Sequence, residues 1–121
     1  MKYRQLIKRV QIYSGFSDSE SKEALQLMVE SLAVRLNEGE RKDFASQLPM
    51  ELKDIALSVR STDENRNVDL LHQFMELQDI DEGHAKKQIK TTWKALKDAI
   101  SPGEIEDVKA QLSNKTVALL G

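Results

Sequence analysis

The chain has no cysteine, so no disulfide framework or thiolate chemistry is available to it, as suits a reducing cytoplasm. Two prolines, five glycines and 5% aromatics are too few for a turn-dense β-sandwich. No two glycines stand close together, which excludes phosphate loops of the P-loop and dinucleotide types. No apolar run is long enough to span a bilayer, and the opening "MKYRQLIKRVQ" lacks the apolar stretch of a signal peptide. A formal net charge of −2 gives no bulk field to attract nucleic acid or an anionic membrane. These absences point to a cytoplasmic chain with no membrane association.

Catalytic and metal signatures are missing as well. His72 and His84 are the only histidines, twelve residues apart and without a metal-ligand spacing, so they are expected on solvated surface. A calcium loop beginning at Asp79 would need Gly where His84 stands and Glu where Lys90 stands. Asp81 is read as a helix cap instead. No serine sits in a nucleophile elbow or a recognisable pattern with a histidine. The expectation is a protein with no enzymatic activity, no cofactor and no metal.

Helical periodicity, by contrast, is abundant, and it occurs twice. "LNEGERKDFASQLP" and "ISPGEIEDVKAQLS" align without a gap at an offset of 64 residues, the distance from Gly39 to Gly103. The same offset pairs Leu6 with Leu70, Val10 with Phe74, Val29 with Trp93, Leu32 with Leu96 and Phe44 with Val108. Apolar character at helical spacing persists where identity does not, as it does when two copies keep the same core faces. The reading is an all-α protein occupying 1–121 as one domain. It consists of two duplicated four-helix units, about 3–59 and 67–120, joined by a polar connector over 60–67.

Each unit predicts a first helix (Lys2–Ser14; Val68–Gln78), a long second one (Asp18–Leu36; Glu82–Ile100), a third (Glu38–Leu48; Pro102–Leu112) and a short fourth (Pro49–Val59; Lys115–Leu120). Ser17 with Glu20, Asn37 with Glu40 and Ser101 with Glu104 have capping-box spacing. Gly39 and Gly103 fall near helix starts, where close packing of a neighbouring helix is favoured over anion binding because Glu38, Glu40 and Glu104 surround them.

Three sets of residues are candidates for function. Asp43 with Gln47 and Asp107 with Gln111 form the polar pairing kept in both copies, read first as a clamp that orients the third helix and second as a pair of small-molecule pockets. The first long helix carries a second apolar stripe, Ala24, Leu27, Ser31 and Val34, where its twin has the wet set Gln88, Thr91, Ala95 and Asp98. That stripe is covered by the chain's own helices, by a second copy in a homodimer, or by a partner helix. The second long helix carries Lys86, Lys87, Lys90, Lys94 and Lys97 within about 100° of arc. This face stays solvated, docks an acidic protein, or tracks phosphates. Its lack of arginine and of exposed rings disfavours nucleic acid. Trp93 lies on the core stripe.

The spacing Gly-Glu-x-x-Asp-x-x-x-Gln-Leu, repeated behind a long helix, and "LIKRVQIYSGFSD" ahead of the first one, resemble the bacterial family called domain of unknown function 2267. The likeness runs from about Tyr3 to Leu120. It implies a small all-helical protein with an internal duplication, and it supplies no catalytic residue. The second copy departs from the pattern with Ser113 where the first has Pro49.

Overall fold

The computed structural model describes all of residues 1–121. Nine helices and no strand make up the chain: α1 (Tyr3–Ser14), α2 (Asp18–Arg35), α3 (Glu38–Ser46), α4 (Met50–Ser58), α5 (Asp63–Asn67), α6 (Leu70–Gln78), α7 (Glu82–Ala99), α8 (Pro102–Ala110) and α9 (Asn114–Leu120). The protein is therefore all-helical, a bundle. The bounds of α2 and α3 recur 64 residues later in α7 and α8, and the starts of α4 and α9 keep the same distance.

Local chemistry sets these boundaries. Leu6, Ile7 and Val10 bury one side of α1, which stops at Gly15, whose left-handed φ of 78° lets its amide reach Gln11 O at 2.7 Å. Ser17, Asn37, Asp69, Asp81, Ser101 and Ser113 each cap a helix by accepting from the amide three residues on. Asp69 moves the start of α6 two residues past the expected Val68. The third helices end at Ser46 and Ala110 rather than at the following leucines. There the chain tightens, with Leu48 N–H on Ala45 O at 3.0 Å and Leu112 N–H on Lys109 O at 3.1 Å.

The 60–67 connector is not plain coil. Thr62 and Asn65 exchange hydrogen bonds in a capping box and wind Asp63–Asn67 into a short helix with no buried residue. Arg35 anchors the connector's end, donating from buried surroundings to Ser31 O and Val68 O, each at 2.6 Å.

One cluster of 25 buried apolar residues draws on both halves, from Leu6 to Leu120. Trp93, Phe44 and Phe74 are its largest fully buried members. The long helices lie together at the centre: α2 is packed by α1, α4, α5 and α7, and α7 by α1, α2, α6 and α9. No helix is long and apolar enough to cross a membrane.

Candidate functional site

The two "GE" segments meet. Helices α3 and α8 pack on each other, and the glutamines at their ends reach across the junction in opposite directions. Gln47 Oε1 accepts from Ser101 N at 2.7 Å, and its Nε2 lies 3.3 Å from Ser101 Oγ. Gln111 Oε1 accepts from Asn37 N at 2.8 Å. Each glutamine thus occupies the cap amide at the start of the other half's third helix. Those are the amides a capping box would give to Glu40 and Glu104, so the expected boxes are only half formed. Asn37 and Ser101 still accept from the third amides, but the glutamates are turned elsewhere.

They are turned towards each other. Carboxylate oxygens of Glu40, Asp43 and Glu104 all lie within 4.8 Å of one another. Glu104 is only 5% exposed, and its Oε2, like Glu40 Oε1, meets no N–H or hydroxyl donor. Burial, then a side-chain hydrogen bond with Glu40 and the charges of Glu40, Asp107 and Asp43, pushes the Glu104 carboxyl up to about 8. The basic side chains of α3 and α8 are committed elsewhere: Arg41 to Ala33 O and Leu36 O, Lys42 to Glu38 and Lys109 to Glu106. Asp43 and Asp107 stand exposed at the rim and do not bond the glutamines four residues on.

A second polar group sits where α2 and α7 begin. Glu20 Oε2 accepts from Gln88 Nε2 at 3.0 Å and from His84 Nε2, and His84 stacks on Phe16 with ring centres 5.1 Å apart. Burial works against the Glu20 charge, but Gln88, His84 and Lys87 outweigh it and hold the carboxyl below its ordinary value. His84 is therefore not the solvated histidine expected; its ring fills the space over Phe16. Gln88, 1% exposed, is further tied to Gln78. The cavity here is about 380 Å³ and is lined also by Ser17, Leu77 and Ile80.

The expected wet face of α7 is largely covered. Helix α1 lies against it, Ala95 is fully buried, and Asp98 accepts from Arg9 Nη1 at 2.9 Å and from the Tyr13 hydroxyl. The apolar stripe of α2 is no free surface either. Ala24 and Ser31 are fully buried, Val34 is buried and Leu27 is half-buried, because α2 is enclosed by four other helices. The candidate interaction surface Ala24, Leu27, Ser31 and Val34 is thereby corrected to interior. The close packing expected at Gly39 and Gly103 is absent too. A Cβ added at Gly103 would meet nothing within 4 Å, and one at Gly39 only Asn37 Oδ1 at 3.7 Å.

The lysine stripe stays outside. Lys86, Lys87, Lys90, Lys94 and Lys97 are all exposed. Lys86 pairs with Glu82 at 3.9 Å, Lys87 lies 5.3 Å from the Phe16 ring centre and Lys94 lies 4.3 Å from that of Tyr13. Lys90 and Lys97 make no ion pair. Across Tyr13 and Arg9 the stripe adjoins α1, a helix without an acidic residue, whose outer side carries Arg4, Lys8 and an Ile12 that is 69% exposed.

Residues 3–119 match the family described as "Uncharacterized conserved protein (DUF2267)". No curated protein matches the chain.

Proposed function

The chain belongs to the domain of unknown function 2267 family, and from that premise we propose that it is a non-enzymatic interaction module of two duplicated halves, which docks an acidic protein partner on the face formed by α7 and α1. The observation that carries this reading is the row of exposed lysines on α7, Lys90, Lys94 and Lys97, beside Lys8 on the packed helix α1, which has no acidic residue, in a protein whose net charge is negative. A chain that only needed solubility would have no reason to segregate its charge in this way.

Exposed Ile12 beside Lys8 favours a partner offering both carboxylates and apolar side chains. Phosphate tracking draws on arginine forks and exposed rings, whereas here Arg9 is engaged by Asp98, and the rings of Tyr13 and Phe16 already lie beneath lysines. The non-enzymatic reading is supported at the one histidine–carboxylate pair. No nucleophile bonds His84, and the Ser17 oxygen is committed to Glu20 N–H.

The test is affinity capture from cell extract by the wild type and by a Lys90→Glu, Lys97→Glu double variant, with and without nuclease. The reading expects an acidic protein retained by the wild type, indifferent to nuclease, and lost by a double variant with unchanged circular dichroism. Equal capture by both proteins would remove the face from consideration, and loss on nuclease treatment would transfer it to nucleic acid.

A further inference from the structure

We infer that the hollow where the end of α2, helix α5 and the α8–α9 turn meet binds a phosphate group, held by the guanidinium groups of Arg35 and Arg66 with neutral donors from Gln111 and Thr116. The hollow measures about 270 Å³, at the small end of ligand pockets, and none of its lining residues is acidic. A smaller neighbour of about 180 Å³ shares Arg66, Ser113 and Thr116 with it and adds Lys115.

Arg35 is the group that asks for an anion. It is 9% exposed, yet its partners are all neutral: Ser31 O and Val68 O at 2.6 Å and Gln73 Oε1 at 3.4 Å. The carboxylates of this region are held by other cations, Asp63 by Arg66 and Asp69 by Lys115 at 3.0 Å. A buried guanidinium without a counter-charge is costly to a fold, and burial here draws the Arg35 value below its ordinary one. An arginine fork is matched in shape to two oxygens of a phosphate. Arg66 stands exposed at the mouth, and its pair with the exposed Asp63 is of the kind that exchanges readily.

The neutral donors are placed independently of the charges. Gln111 spends its Oε1 on Asn37 N, and its Nε2 has no acceptor in the protein. Ser113 Oγ donates to Thr116 Oγ1 at 2.9 Å, which leaves the buried Thr116 O–H to donate in turn. Donors thus come from three separate elements, an arrangement suited to a tetrahedral group with acceptors on several sides. The fold itself does not require these residues. At the offset of 64, Thr116 and Ser113 correspond to Leu52 and Pro49, and Arg35 to Ala99. Leu52 is fully buried, so that corner of the other half is closed with apolar side chains. Three positions at which the halves part company therefore gather in one place, and all three are polar on the side that has the hollow.

Calorimetry and thermal melts at constant ionic strength test the assignment, with inorganic phosphate, glycerol 3-phosphate and acetate as probes. One phosphate per chain is expected, with an upward thermal shift, and acetate should bind at least tenfold more weakly. Tighter binding of the ester would identify a phosphorylated metabolite as the source of the group, and tighter binding of the inorganic ion would identify free phosphate; either supports the site. Arg66→Gln and Thr116→Val should each weaken binding, the first by about tenfold or more. Lys22→Gln, an equal change of charge about 20 Å away along α2, should leave it unaltered. Arg35→Gln should abolish binding, and because Arg35 also anchors the connector, exposed Arg66 carries the test where that variant fails to fold. Neither heat nor thermal shift at tens of millimolar phosphate would overturn the site. So would equal weakening by Lys22→Gln and Arg66→Gln, or acetate binding as tightly as phosphate.

Discussion

At the scale of single residues, Glu104 has the environment with the clearest consequence. Its carboxyl is raised from 4.5 to about 8, so the folded chain holds that proton more tightly than the unfolded chain does. The stability this contributes is complete below the ordinary value and is lost as pH climbs through about 8. The wild type should therefore melt at progressively lower temperature across that window. Glu104→Gln keeps the shape, has no proton to lose and can still donate to Glu40. Its profile should be flatter, with a gain over wild type on the order of 2 kcal/mol at the alkaline end, once solvent at the Asp43 rim is allowed for. Denaturant melts across the window check this, and parallel profiles would refute it. The sequence did not disclose this environment. Glu40 and Glu104 have capping-box spacing, and the spacing is satisfied equally well by a glutamate that turns back or by one that turns away. Which occurs depends on Gln111 and Gln47, far along the chain, taking the amides first. His84 was expected on solvated surface for the same kind of reason: its partner, Glu20, lies 64 residues away.

At the scale of elements, more was legible. Caps and apolar spacing located eight helices to within about two residues at each end, since both signals are local. The short α5 was missed because a Thr62–Asn65 capping box needs no apolar residue to announce it. The two stripes were harder to read. An apolar stripe on α2 and a polar one on α7 predict opposite exposures, yet both are largely covered, one by apolar contact and the other by α1 through Arg9, Tyr13 and Asp98. Sequence periodicity reports the polarity of a face and not what lies against it. The helix-start glycines give a test at this scale. Gly103 sits on an ordinary helical backbone with open space where a Cβ would be. Gly103→Ala should therefore stabilise the protein by about 0.5–1 kcal/mol by restricting the unfolded chain, seen as a thermal midpoint a few degrees higher. A loss of stability would mean that α8 needs glycine there for a contact the fold does not display.

At the scale of the whole molecule, interior and surface divide the candidate residues cleanly. Ala24, Ser31 and Val34 belong to the core side of α2, so assembly through that stripe would require α2 to shed its own neighbours. The lysines of α7 stand outside, and the α3–α8 junction lies on different helices from them. The exchange of Gln47 and Gln111 has a consequence for how the chain may be cut. Each half carries the group that completes the other's helix start, and the covalent link between them runs through an exposed segment with no buried residue. Co-expressed fragments severed between Thr62 and Asp63 should find each other and rebuild the bundle without a peptide bond joining them. Replacing Gln47 with Ala should raise the concentration at which the fragments reassemble, because severed pieces, unlike the intact chain, must meet the entropy of association from their mutual contacts. Polypeptides that heal in this way are natural two-part reporters, and this one would carry its own signal in buried Trp93.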